Sequence, residues 1–136
     1  MANNKRPDLN SKFILALDDE FDIVTLVKQG LQKYGFNVFA FTEPLMALEH
    51  FKLNIKDYDM VISDIRMPGM NGYEFVKRVK QIKIEVKVIL MTAFEIKDME
   101  FYNTLPSVKI DAFVQKPLSI NQLRHIIETC LDKSKA

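Results

Sequence analysis

The chain has 136 residues, 48% of them apolar, with 19 Lys and Arg against 18 Asp and Glu for a formal net charge of +1. That length and apolar content suffice for one core and would crowd two, while the balanced charge excludes a general electrostatic affinity for nucleic acid or anionic membrane. A single cysteine, Cys130, excludes an internal disulfide, and no apolar run reaches the roughly 20 residues that span a bilayer.

The opening "MANNKRPDLNSK" is polar and lacks the apolar centre of a signal peptide, so residues 1–11 are expected to form a flexible arm on a soluble, cytoplasmic protein. "FILAL" (13–17) is a short apolar run bounded by polar residues and acids, the pattern of a strand buried on both faces. Ile23, Val24, Val27, Leu31 and Tyr34 then recur at helical spacing until Gly35 stops them. "FNVFAF" (36–41) predicts a second strand. After it, Thr42 is placed to cap a helix with Pro44 in its first turn and Leu45, Leu48 and Phe51 facing inward. "MVIS" (60–63) is the third strand, followed by Asn71 and Glu74 as a capping pair for a helix that buries Phe75, Val76, Val79 and Ile82.

"VKVILMT" (86–92) predicts the fourth strand, and Ile96, Met99 and Tyr102 a fourth helix ending near Pro106. "IDAFVQ" (110–115) is the fifth strand. Ser119 and Gln122 cap the last helix, whose inner face is Leu123, Ile126, Ile127, Cys130 and Leu131, with a short tail at 133–136. Strands and helices in strict alternation imply parallel strands, right-handed crossovers and helices on both faces, so the expected class is an α/β doubly wound sandwich. Ligands of such sheets bind beyond the carboxyl ends of the strands.

Those ends carry the chemistry. Asp18 and Asp19 follow the first strand, Asp64 the third, Thr92 ends the fourth and Lys116 follows the fifth. Three gathered carboxylates raise one another's pKa unless a cation sits among them, and a hard divalent ion such as Mg²⁺ takes oxygen ligands of this kind together with a phosphate. Lys116 then supplies a point charge for a phosphoryl oxygen, Thr92 a hydroxyl, and the loops after the third and fourth strands backbone donors. Asp64 stands where a nucleophile would, able to carry an acyl phosphate once its charge is offset.

"LDDE", "DIRMPGMNG", "MTA" and "FVQKP", in that order and at those strand ends, resemble the response-regulator receiver domains of two-component signalling systems, over about residues 12–132. The resemblance implies a flavodoxin-like (βα)5 fold with strand order 2-1-3-4-5. It makes Asp64 the phosphoacceptor, working with Thr92 and Lys116, and Asp18, Asp19, Asp64 and the Arg66 backbone carbonyl the holders of Mg²⁺ or Mn²⁺. The backbone N–H groups of Arg66 and Ala93 become further phosphoryl contacts, Thr92 and Phe113 the switch pair, and the Lys116–Pro117 bond cis. Arg66 and Phe94, each two residues past a site residue, would control access of water to the phosphoryl group.

The function so implied is a phosphorylation-dependent signalling switch, not an enzyme acting on other substrates. Its partners would be a sensor histidine kinase or phosphotransfer protein, with no direct binding to nucleic acid or membrane. Its output would be a change in the surface of the fourth helix, fifth strand and fifth helix. "YNTLPSVKIDAF" departs from the alanine and glycine that usually lead into the fifth strand, so a short, displaced or mobile fourth helix is expected.

Taken singly, each residue also has a structural reading. Asp18 or Asp19 could cap a helix, Thr92 could be an ordinary strand residue, Lys116 a solvated lysine, Phe113 core and "MPGMNG" a turn. Cys130, on an apolar helix face, reads as a structural thiol, and His50 and His125 as surface or packing residues. Two other functions compete: a Mg²⁺-dependent phosphohydrolase of the haloacid-dehalogenase type, with Asp18 as nucleophile, and a receiver-like binding module that is never phosphorylated.

Overall fold

A computed structural model describes residues 12–93 and 108–132. Among these residues it contains β1 (Phe13–Leu17), α1 (Phe21–Gln32), β2 (Asn37–Phe41), α2 (Pro44–Leu53), β3 (Tyr58–Asp64), α3 (Gly72–Ile82), β4 (Lys87–Thr92), β5 (Ala112–Gln115) and α4 (Ile120–Leu131). The helix expected around Ile96–Tyr102, and its end near Pro106, lie outside the described residues. The predicted fifth helix is therefore α4.

Five parallel strands form one flavodoxin-like sheet in the order β2-β1-β3-β4-β5. Side chains alternate across it, as the period of a strand requires. Leu15, Leu17, Val61, Val88 and Leu90 join Leu48 and Phe51 of α2 and Phe75, Val76 and Val79 of α3 in one buried layer. Ile14, Ala16, Met60, Ile62, Ile89 and Met91 point the other way, against Val24, Val27 and Leu31 of α1 and Leu123 and Ile127 of α4. Both faces of β1, β3 and β4 are thus dry, which is why those strands read as continuous apolar runs.

Helix boundaries and inner faces follow their chemistry, with three departures from expectation. The Asn71 side chain accepts from the Glu74 N–H at 2.8 Å, and Ser119 Oγ from the Gln122 N–H at 3.3 Å, so both expected caps form. Past the end of α1, Gly35 has φ of 93°, a conformation that glycine adopts without a Cβ clash. Thr42 does not cap α2; Glu43 holds that position without a side-chain bond. Leu45 does not face inward either: it is 64% exposed and lines a surface groove with Pro68 and Met70, because its first-turn position lies beside the loops at the rim of the sheet. Tyr34 falls past the end of α1, is also exposed, and lies 4.4 Å below the Arg124 guanidinium. His50 takes the packing role read for it, with Nε2 2.6 Å from the Tyr58 hydroxyl and its ring against Phe39 and Phe41.

Candidate functional site

The parallel sheet brings the carboxyl ends of β1, β3, β4 and β5 together, and with them the predicted site residues. Asp64 is the last residue of β3, the central strand, and Asp18 directly follows β1 beside it. One carboxylate oxygen from each of Asp18, Asp19 and Asp64 lies within 4.8 Å of the other two. Asp18 and Asp64 are buried and Asp19 is exposed, so the cluster has a dry floor and an open side.

Lys116 arrives from the far end of the sequence. Its main-chain N–H donates to the Thr92 carbonyl at 2.7 Å, tying the end of β5 to the end of β4, and the Lys116–Pro117 bond is cis as expected. Its Nζ lies 2.9 Å from Asp18 Oδ2 and 3.2 Å from Asp64 Oδ1, bridging the two buried acids. Asp18 is held further by the Glu20 N–H, which donates to Oδ1 at 2.9 Å. Thr92 is buried at the end of β4, and exposed Ala93 follows it.

Arg66 is exposed at the mouth of the loop after β3. That loop is pinned where the Ile65 N–H donates to the Met91 carbonyl at 3.1 Å and the Gly72 N–H to the Ile65 carbonyl at 2.8 Å. Phe113 lies opposite Leu90 in the β4–β5 ladder, partly buried against the layer that contains α2 and α3. Phe94, the second access residue, lies outside the described residues.

Burial raises the Asp18 carboxyl above the usual range; the hydrogen bond from Lys116 and the Glu20 N–H pull it back only in part. Burial likewise raises Asp64, and the charge of Asp18 adds to it against the opposing pull of Lys116. For Lys116, burial acts against the ammonium, but the hydrogen bond and charge of Asp18 and then those of Asp64 outweigh it and raise the group. Three carboxylates facing one ammonium leave a surplus of negative charge in a half-dry pocket. All three offer hard oxygen donors within the span of one ion, so the residues fit Mg²⁺ or Mn²⁺.

An Asp whose folded pKa is raised favours folding below its unfolded pKa, near 3.8, and loses that contribution as pH climbs through the raised value. At pH 7 without divalent ions, Asp64→Asn is therefore expected to be more stable than wild type by about 1 kcal/mol, roughly 4 °C in Tm. The gap should close below pH 4 and also on adding Mg²⁺. Thermal melts of the two proteins with and without chelator test this, and an Asn variant no more stable than wild type at pH 7 would contradict it.

Two contributors were not singled out from the sequence. Glu20 Oε1 lies 3.7 Å from Lys116 Nζ, and the third acid of "LDDE" was the signal available for it. Gly72, at the start of α3, packs so tightly that a Cβ would overlap the Asp64 carbonyl oxygen. A glycine in the first turn of a helix, where it is a poor former, was the available sign of a close backbone approach.

Residues 14–128 match the family described as the response regulator receiver domain. Sporulation initiation phosphotransferase F of Bacillus subtilis (strain 168) is 32% identical over 125 residues, covering 90% of this chain and 95% of that protein. The alkaline phosphatase synthesis transcriptional regulatory protein PhoP of the same organism is 29% identical over 126 residues, covering 92% of this chain and 50% of that protein. Several curated relatives, PhoP among them, are thus longer proteins of which the chain spans half the length or less. The crystal structure of a response regulator receiver domain protein from Clostridium thermocellum superposes with a TM-score of 0.80 at 25% identity, covering 91% of this chain and 97% of that one. No described helix is long and apolar enough to cross a membrane.

Proposed function

Because the chain belongs to the response regulator receiver domain family, we propose that it is a phosphorylation-dependent switch in which Asp64 accepts a phosphoryl group from the phosphohistidine of a sensor histidine kinase or phosphotransfer protein. The observation that carries this reading is Lys116 Nζ lying between the buried Asp18 and Asp64 carboxylates at the end of the central strand. Such a constellation has the parts that phosphoryl transfer uses, a nucleophile and fixed charges around it. A similar protein named as a phosphotransferase supports phosphotransfer partners.

Asp18, Asp19, Asp64 and the Arg66 carbonyl are the groups to hold Mg²⁺ or Mn²⁺, which when bound supplies positive charge against the acids and the phosphoryl oxygens. An Asp64 carboxylate oxygen attacks phosphorus, and the bond from phosphorus to the histidine nitrogen breaks with its electron pair returning to the imidazole. Lys116 follows the phosphoryl oxygens with its ammonium, Thr92 with its hydroxyl, and Arg66 and Ala93 with main-chain N–H groups. Arg66 and Phe94 screen the acyl phosphate from water; when water does reach it, hydrolysis returns Asp64 to its starting state. The protein therefore catalyses only its own phosphorylation and dephosphorylation. The receiver unit of this reading is residues 12–132.

The readout is a change of packing. Thr92 moves toward the phosphoryl oxygens and leaves room for Phe113, whose ring has no polar group to strand when it turns inward. With Mg²⁺ and the phosphate mimic beryllofluoride, the Phe113 ring resonances are expected to shift in wild type and to stay in place in Asp64→Asn. A Phe113 environment identical with and without the mimic would remove this switch.

A further inference from the structure

We infer that the groove between the start of α2 and the loop after β3 is a docking site for a basic, amphipathic helical segment of a partner protein, and that its occupancy is coupled to cation binding at the acidic cluster of Asp18, Asp19 and Asp64. The coupling, but not the docking, rests on the reading of that cluster given above. The groove has a volume of about 750 Å³, and Pro44, Leu45, Pro68 and Met70 give it apolar lining. Its rim carries the exposed acids Asp19, Glu43 and Glu74, with Arg78 the one cation lining it. Neither Glu43 nor Glu74 has an ion-pair partner among the described residues. On a chain with net charge of +1, this is a local negative surface.

Four features set the occupant. The apolar lip continues beyond the groove, because Met46 beside Leu45 is 60% exposed, so the surface suits a segment larger than a small molecule. The acid rim calls for lysine or arginine beside the apolar anchors, and Arg78 for one acidic residue at the end of the segment. No strand edge enters the groove: its lining comes from loops and from turns of α2 and α3. An occupant's backbone finds no ladder to join, and a helix, whose backbone bonds are internal, fits such a surface without one.

The coupling arises from shared residues. Asp19 belongs both to the rim and to the acidic cluster, and Pro68, Gly69 and Met70 lie in the loop that leaves Asp64. A lysine drawn to Asp19 competes with a cation for the same carboxylate, so each should weaken the other by the same factor.

The test uses the full chain labelled with ¹⁵N and a Leu/Lys amphipathic peptide of about 14 residues, long enough to form a helix on binding, with a Leu/Glu peptide of the same pattern as control. In chelator, the Leu/Lys peptide is expected to shift the amides of Leu45, Gly69, Met70 and Glu74, and the Leu/Glu peptide to leave them in place. Leu45→Gln and the double variant Glu43→Gln/Glu74→Gln should each weaken binding about tenfold. Because these side chains are exposed, the variants should melt near wild type. Adding Mg²⁺ should weaken peptide binding several-fold. Shifts centred elsewhere, equal binding of both peptides, or unchanged affinity in both variants would overturn the docking site. Affinity indifferent to Mg²⁺ would overturn the coupling. Phosphorylation by acetyl phosphate is a separate measurement, so failure of the groove and failure of the switch are told apart.

Discussion

Incubated with acetyl phosphate and Mg²⁺, the protein should gain one phosphoryl mass, Asp64→Ala none, and wild type in chelator little or none. This is the largest effect expected, a complete loss, because in the function proposed above Asp64 supplies the bond-forming atom. Asp19 is exposed on the open side of the cluster. Asp18 is fully buried and both of its oxygens are engaged, one by the Glu20 N–H and the other by Lys116. That engagement also bears on the competing phosphohydrolase reading, which needs Asp18 as nucleophile. Turnover of a generic phosphate ester that survives Asp64→Asn and dies in Asp18→Asn would favour it. Intact-protein mass spectrometry of the variants decides the matter, and a phosphoryl adduct retained in Asp64→Ala would sink the assignment.

The second large effect is structural and lies at Gly72. Its N–H donates to the Ile65 carbonyl at 2.8 Å, and an added Cβ would fall onto the Asp64 carbonyl oxygen and within 2.9 Å of Ile65 Cα. Both are backbone, so no side chain can swing aside; either α3 or the peptide after Asp64 must move. Gly72→Ala is expected to cost about 3 kcal/mol, on the order of 10 °C in Tm, despite the better helix propensity of alanine. Phosphoryl uptake should fall with it, since the displaced peptide carries Asp64. Gly69→Ala is the control, because a Cβ there meets nothing within 4 Å and only its φ of +80° is unfavourable, a cost of about 1 kcal/mol. Denaturation of the two variants tests the contrast, and a Gly72→Ala protein as stable as wild type would show that the close approach is no constraint.

Much of this protein was legible before any contact was known. "FILAL" became β1 at its predicted bounds, and the caps at Asn71 and Ser119 formed as read, because a buried strand and a capped helix each leave a local pattern. The errors fell where neighbours outside the local pattern decide. Leu45 has the spacing of an inward residue but sits at the rim of the sheet, and Tyr34 continues the helical spacing of α1 after the helix has stopped. Gly72 looked like one more loop glycine because its partner, the Asp64 carbonyl, is a contact across the strand-to-helix turn.

The order of residues along the chain was enough to determine the alternation of strands and helices seen from β1 to β4, hence parallel pairing, and to put Asp18, Asp64, Thr92 and Lys116 at strand ends. These follow from periods of two and 3.6 residues and from chain connectivity, which act between near neighbours. Only the tertiary structure decided that Lys116 Nζ meets Asp18 Oδ2 at 2.9 Å across a separation of 98 residues, that Asp18 is sealed while Asp19 stays open, and that a groove lies beside them. Distances of that kind depend on how two packed layers set the strands against one another, and no short window of residues contains both layers.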